Sequence, residues 1–548
     1  MKSAKDVVTL FREAEQYRRN KENLWQEIAE RVDPRLCDFN ISTDYSSGKK
    51  TQKIFDSTAT IALQRYAAGL ESYLSPATQN WQRIVCSDPD LTARYGSYFD
   101  SITDILFRVR RAGRSGFRSA INDVYKSGGA FGTSVLYVGE DPGRGIYYRH
   151  IPLRQMYGAV NNMGIIDTFY RKFSLNKRQA EQEFGEYLPE KIKNTKDNVK
   201  KFDFIHAVYP NEEYDRKSPS NKKMKFVSQY ISLDEPSKFI YEGGYRTSPY
   251  MMPRTDTFGD DEVYGFAPIM QCLPDIASVN KMRKTNLALG ERMANPPILL
   301  SDEDIINPES LSIPNGFVYG GLDPDSGEQR AKALQLPGNV NIAYEEQDQC
   351  RKAIEWALFI PLFQIFEETP QMTATEVMAR TQEKSALLAP LSGRYQTELF
   401  NPMTDRELDL LERAGQFGEM PEELQRALQS DEASITLEYE SPSMKSQKME
   451  QGVGMLNTVQ ACASLIQMDP TLAQIFNTEK MVRHLADFNS TPADILKTEE
   501  EMAAARQQIQ QQQAIAAMAE MAPQIGQATK TMAEAQKISQ EANPLGGL

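Results

Sequence analysis

Residues 126–134 read "KSGGAFGTS", with Gly128, Gly129 and Gly132 followed by the hydroxyls of Thr133 and Ser134. Residues of these types hold phosphates when glycines let backbone N–H groups wrap the anion and a lysine reaches its terminal oxygens. That chemistry needs six residues from the first glycine to the second, then Lys and Ser/Thr. Here only three residues separate Gly128 from Gly132, and Thr133 stands where the lysine belongs. The Gly48-Lys49 pair is followed by Lys50 and has no glycine five residues before it. A phosphate loop also leads from a strand into a helix, whereas the pattern here runs from a helical period into a β-rich run. The stretch is expected to be a helix C-cap and a close-packing turn.

Other reactive types are sparse. The three histidines, His150, His206 and His484, form no HExxH and no cluster. The five cysteines, Cys37, Cys86, Cys272, Cys350 and Cys462, lie far apart without a CxxC, which reads as free thiols in a reducing compartment. Carboxylate groups such as Asp88/Asp90 and Asp302/Glu303/Asp304 have no convergent partners in the sequence. No catalytic residue, metal site or cofactor is expected.

The densest positive run is "FRVRRAGRSGFR", with Arg108, Arg110, Arg111, Arg114 and Arg118 between Phe107 and Phe117. It could contact phosphates. The preferred reading is a solvated or intersubunit helix face pairing with carboxylates. With 62 basic against 75 acidic residues the formal charge is −13, which argues against tight wrapping of nucleic acid. "NTKDNVKK" and "RKSPSNKKMK" read as exposed loops.

The elements that position these residues follow from periodicity. At 548 residues, with 40 % hydrophobic residues and a mean hydropathy of −0.53, the chain holds several domain-sized units of an ordinary soluble protein. The start has no apolar signal region, and "AIEWALFIPLFQIF" (353–366) is too short and interrupted to span a membrane. The expected location is the cytoplasm.

Helical spacing marks residues 3–33, capped by Ser3, a second helix capped by Ser57 or Thr58, and a third from about Tyr98 to Lys126. Then come short β-rich runs: "SVLYVGE", "GIYYRHI", "MYGAV", "IIDTFYRKFSL", "FDFIHAVYP", "KFVSQYISL" and "KFIYEGG". Helices followed by mostly antiparallel strands point to an α+β fold. Helical pattern returns at 265–294 and ends at Pro296-Pro297. After a Pro/Gly/Asp-rich stretch it resumes from about Ile342 to Phe366. A long helix then opens on the capping box "TATE" at Thr373, bends near Pro390 and Gly393, and stops before Gly415. One more strand, "ASITLEYESP", precedes a helical region through residue 488. From residue 500 the chain narrows to Ala, Gln, Met and Glu, a helix former with a weak apolar stripe.

In the helix at 265–294, Ile269, Cys272, Leu273, Ile276, Val279 and Leu287 make one apolar face. Lys281, Lys284, Thr285, Ala288 and Arg292 fall within an arc of about 100° on another. Such a helix could line a polyanion passage or be an ordinary amphipathic surface helix, and periodicity leaves both open.

Longer stretches carry a resemblance. "FDSTATIALQRYAAGLESYLSPATQNWQRI", "GFRSAINDVYKSGGAFGTSVLYV", "YGFAPIMQCLPDIASVNKMRKTNLALGERMANPP" and "TATEVMARTQEKSALLAPLSGRYQTELFNPM" together resemble the head-to-tail connecting (portal) proteins of short-tailed bacteriophages. The resemblance implies a structural, non-enzymatic ring, usually of twelve copies, at one capsid vertex. Such a ring is the conduit for double-stranded DNA in packaging and ejection. It also docks a separate terminase, capsid or scaffold proteins and tail adaptors, with no membrane; the protein is made in the host cytoplasm and ends in the virion.

The resemblance further implies a portal-type division of the α+β chain. The wing would be 1–264, the first stem helix 265–295, the clip 296–341 and the second stem helix 342–366. The tunnel loop would be 367–373, with Glu367, Glu368, Thr369, Pro370, Gln371 and Met372. The long kinked helix and the remaining wing or crown would be 374–495, and crown or barrel helices 496–548. Lys281, Lys284 and Arg292 are then the channel-facing candidates. A packaging-motor enzyme would instead need a phosphate loop or a carboxylate cluster, and a host nucleic-acid-binding protein a basic domain.

Overall fold

The computed structural model describes residues 2–34, 39, 54–141, 143, 145–215, 220–294, 298–300, 327, 331–333, 340–364, 374–430, 434–439, 452, 454–462, 481–482, 485 and 502. In chain order the named helices are α1 (Ala4–Val32), α2 (Thr58–Leu74), α3 (Pro89–Arg94), α4 (Gly96–Arg111), α5 (Phe117–Phe131), α6 (Lys177–Phe184) and α7 (Glu190–Lys193). They continue as α8 (Pro268–Gln271), α9 (Leu273–Ala294), α10 (Val340–Ala357), α11 (Ile360–Phe363), α12 (Ala374–Tyr395), α13 (Asn401–Arg413) and α14 (Glu422–Gln429). The strands are β1 (Gln82–Cys86), β2 (Leu136–Asp141), β3 (Gly145–His150), β4 (Met156–Val160), β5 (Ile166–Asn176) and β6 (Lys201–Pro210). Then follow β7 (Phe226–Ser232), β8 (Phe239–Tyr245), β9 (Tyr250–Met251), β10 (Ile298–Leu300), β11 (Ala331–Ala333) and β12 (Ile435–Tyr439). The fold is α+β. Two compact units interleave along the chain: residues 1–81, 105–418 and 441–443 make the first, and 82–104, 419–440 and 444–548 the second.

The first unit is built around an antiparallel five-stranded sheet in the order β4-β5-β6-β7-β8. Its alternation assigns its faces. On β6, Ile205, Ala207 and Tyr209 meet Val7, Val8 and Phe11 of α1. Phe202 and Phe204, the alternate residues, pack with Ala180, Phe184, Leu188 and Ile192. The start of α1 is fixed as its sequence suggested: Ser3 Oγ accepts the Asp6 N–H, and the Asp6 carboxylate accepts the Ser3 N–H at 3.0 Å. A smaller sheet, β3-β2-β9, lies in the same unit.

The glycine-rich opening stretch closes α5. Gly132 sits in the left-handed region (φ +73°), and its N–H donates to Gly128 O at 2.8 Å. A Cβ at 132 would fall on the Gly265 carbonyl. Thr133 and Ser134 are fully buried; Thr133 Oγ1 accepts the Gly265 N–H at 2.8 Å. These groups are enclosed in a helix-ending turn, as the glycine pattern predicts.

Several boundaries differ from the sequence reading. The third helix is broken: a 3₁₀ turn (Gly113–Ser115) and Gly116 at φ +71° separate α4 from α5. Neither Ser57 nor Thr58 caps α2 with its side chain; Asp56 Oδ1 instead accepts the Thr58 N–H at 2.9 Å. The helix expected at 342–366 divides at Phe359, a non-glycine residue with φ +57°. Pro390 lies inside α12, and the irregularity comes after it, as a π turn at Gln396–Phe400. Thr373 and its capping box, His484, Cys37, Asp302/Glu303/Asp304 and most of the Ala/Gln-rich end lie outside the described residues.

In the second unit β1 pairs antiparallel with β12, Cys86 opposite Ile435. Asp88 does not stand free for a metal: its carboxylate caps α3 by accepting the Asp90 N–H at 2.9 Å. Arg94 binds both Glu423 carboxylate oxygens at 2.7 Å.

Candidate channel-facing site

The foot of α9 is seated in the first unit, and its far end is not. Cys272, Ile276, Val279 and Asn280 are buried. Asn280 Oδ1 accepts the N–H groups of Phe55 and Asp56 at 2.8 and 3.0 Å, while its Nδ2 donates to Ile276 O at 2.8 Å. Asp56 in turn accepts from Arg351 of α10 at 2.8 Å. Burial alone would raise the Asp56 carboxyl, but the Thr58 and Arg351 hydrogen bonds outweigh it and hold it below the ordinary range. This network ties α9, α10 and the entry to α2 together. Burial, aided by Asp275, pushes the Cys272 thiol up to about 12, so it is no nucleophile.

Beyond Asn280 the apolar stripe stops. Leu287, expected on the buried face, is 47 % exposed, and Met293 is 60 % exposed. Periodicity marks which residues share a face, but among the described residues of the unit none covers Leu287 or Met293. Lys281, Lys284, Thr285, Ala288 and Arg292 are all exposed on one face. Lys284 Nζ lies 5.4 Å from the Phe55 ring centroid. From Lys281 to Arg292 the helix rises about 16 Å, so the face presents a row of cations. The tunnel-loop candidates Glu367, Glu368, Thr369, Pro370, Gln371 and Met372 lie outside the described residues.

The arginine run does not form one patch. Arg110 is turned inward and 2 % exposed. Its guanidinium donates to the Glu407 carboxylate at 2.5 Å and to Thr404 Oγ1 at 2.8 Å, and it lies 4.8 Å from the Trp81 ring centroid. Tyr148 O–H donates to the same carboxylate. Arg111 donates to Asn80 Oδ1 at 2.8 Å, and Arg118 lies 3.7 Å from Glu71. The expected pairing with carboxylates therefore occurs for Arg110 and Arg118, but within the fold and, for Arg110, in its interior.

A second pair, half-buried, joins Arg254 to Glu398 on the π turn at 2.7 Å. The remaining donors of Arg254 reach Glu262 O at 2.6 Å and Gly164 O at 2.9 Å. Neither Glu407 nor Glu398 was marked by the sequence, because their partners are far away in the chain.

Among the described residues no group of three or more His, Cys, Asp or Glu could hold a metal ion, and no helix is long and apolar enough to cross a membrane. Cys86, Cys272, Cys350 and Cys462 are free thiols.

Among the described residues the arrangement is a tied scaffold that carries an exposed cationic helix face. Its lineage is clear from comparison. Residues 4–496 match the family described as bacteriophage head to tail connecting protein, and the chain belongs to that family. It is a connector of phage head and tail.

Among its relatives, the protein named "Portal protein" of Salmonella phage epsilon15 is 25 % identical over 526 residues, covering 94 % of this chain and 92 % of that one. The "Probable portal protein" of Bordetella phage BPP-1 is 25 % identical over 511 residues, 90 % of this chain and 89 % of the other. A chain in the neck of an empty GTA particle, a structure computed with C6 symmetry, is 13 % identical and aligns with a TM-score of 0.37 over 73 % of this chain and 86 % of its own.

Proposed function

We propose that copies of this chain close into a ring, of twelve by the family resemblance, whose axis passes double-stranded DNA during packaging and ejection. The observation that carries this reading is the far half of α9, where a row of exposed cations runs along one side and Leu287 and Met293 stand unburied. A monomer gains nothing from such a helix; a ring buries the apolar residues against neighbouring copies and turns the cations toward the axis. A few cations in an otherwise acidic chain, 13 negative charges in excess, suit a passage in which DNA slides instead of sticking.

In this reading residues 1–264 form the wing, 265–295 and 342–366 the stem, 296–341 the clip, and 367–373 the loop nearest DNA. Residues 374–495 complete the long helix and the remaining wing or crown, and 496–548 the crown or barrel. The β10–β11 pair, Ile298 opposite Ala333, is consistent with a small folded clip. A separate terminase, capsid or scaffold proteins and tail adaptors would dock on this ring, and it works without an active site of its own.

Mass photometry followed by negative-stain imaging tests the assembly: rings of about twelve copies with a central hole are expected. Charge reversal of Lys281, Lys284 and Arg292 together should then leave the ring intact and lower the amount of DNA packaged. A monomer or dimer at every concentration and salt would refute the ring. An unchanged yield of packaged DNA in the triple variant would remove those residues from the channel wall.

A further inference from the structure

On the five-stranded sheet, away from α9, lies a cavity of about 520 Å³ that opens to solvent. Tyr230 of β7 and Tyr241 and Tyr245 of β8 form its wall. Glu183 of α6, with Glu186 and Tyr187 from the 3₁₀ turn that follows, forms its rim. The rings stand at angles to one another as in a cage: Tyr187 and Tyr241 are 6.1 Å apart at 69°, and Tyr230 and Tyr241 6.3 Å apart at 61°. Tyr230 is held from behind by His206, stacked on it at 4.0 Å and 4°. His206 donates or accepts at Tyr250 and Ser228, at 2.8 and 3.0 Å, so that ring cannot swing away.

The cavity is lined by tyrosine rings and carboxylates, and two cations border it: Arg406, 5.0 Å from the Tyr245 ring centroid, and Lys193, whose ammonium donates to the Glu186 carbonyl at 2.8 Å. Tyrosine faces carry the negative side of the ring quadrupole, and two carboxylates lie beside them. Among the described residues neither the Glu183 nor the Glu186 side chain has an ion-pair partner. An anion would be repelled, and a purely apolar occupant would strip water from both carboxylates without replacing it.

We infer that this cage is a binding site for an organic cation, a guanidinium or alkylammonium group, carried on an arginine or lysine side chain of another protein chain. Tyr187 and Tyr241 are 68 % and 42 % exposed at the mouth, leaving room for the backbone of the ligand to remain outside while the charged head enters. The acidic balance of the whole chain complements a basic partner surface. The site is independent of any channel and needs no ring to form.

The test is isothermal titration calorimetry of the full-length protein with a capped Gly-Gly-Arg-Gly-Gly peptide and its citrulline counterpart, which keeps the shape but loses the charge and has a carbonyl oxygen in place of one NH2 group. The arginine peptide should bind about tenfold more tightly than the citrulline one, through ring faces and carboxylates together. The exposed double variant E183Q/E186Q, which removes charge without disturbing packing, should reduce that preference to the part the rings supply, and Y241A should weaken binding of the arginine peptide. Equal binding of the two peptides, or an unchanged preference in E183Q/E186Q, would overturn the site. Binding of free Nα-acetyl-arginine amide with no binding of the peptide would overturn its assignment to a protein-borne side chain.

Discussion

Replacing Glu407 by alanine would leave the Arg110 guanidinium enclosed without its counter-charge. The side chains of Arg110 and Glu407 are 1 % and 0 % exposed, so water cannot take the place of either. Arg110 would keep Thr404 Oγ1 and the Trp81 ring, but lose its bonds to both carboxylate oxygens. Tyr148, whose phenol burial and the Glu407 charge push well above its usual range, would lose its acceptor too. Breaking one side of such a pair costs about 3–5 kcal/mol, roughly a 150- to 4,000-fold loss in the folding equilibrium of the first unit. Removing both charges with R110M/E407M should cost less than either single change, because two well-packed apolar side chains need no partners. Equilibrium urea unfolding followed by tryptophan fluorescence measures this, since Trp81 lies against the pair and reports on its own surroundings. If E407A and R110M each cost under about 1 kcal/mol, or the double variant loses the full sum, the reasoning about enclosed charge is wrong.

Three other outcomes follow from the same packing. G132A should be among the most damaging single changes in the chain, costing at least about 2 kcal/mol, because a left-handed backbone and a clash with Gly265 coincide there; the loss should appear as a lowered urea midpoint or insoluble protein. Stability should fall as pH drops below about 6.5, because burial holds His206 well below its usual range and His150, with an enclosed Nε2, at about 4, while the unfolded chain takes up those protons; the slope should reach about 1.4 kcal/mol per pH unit for each histidine and flatten in H150Q or H206Q. E398A should destabilise the π turn more than any distant part of the unit, read as faster amide exchange at residues 396–400, since it leaves Arg254 with only its carbonyl partners.

Local signals in the sequence were read correctly where short-range physics decides the structure. Ser3 with Asp6, the turn at Gly132 and the seven β-rich runs of the sheets are all set by residues within a few positions of one another. The cationic face of α9 was legible for the same reason, since helical spacing alone decides which residues share a side. What escaped depends on distant partners. β1 is five residues between two helices, and it is a strand because β12 lies opposite. Arg110 looked like a surface charge because Glu407 stands 297 positions away. Leu287 looked buried because periodicity reports a face and cannot report whether a neighbour covers it. The break at Gly113–Gly116 is carried by two glycines, and the helical pattern on either side masks it in the sequence.

The pairing of β1 with β12 also sets a schedule. Cys86 and Ile435 are neighbours in space and about 350 positions apart in the chain. At a translation rate of about 5–20 residues per second, β1 leaves the ribosome roughly 20–70 s before its partner exists. Through that interval the first unit has most of its sequence in hand while residues 82–104 wait with an unpaired strand edge. The second unit is completed only near the end of synthesis, so a nascent chain cannot present it to a neighbouring copy early. In the ring proposed above, the second unit would be the last part of each copy to become available to its neighbours.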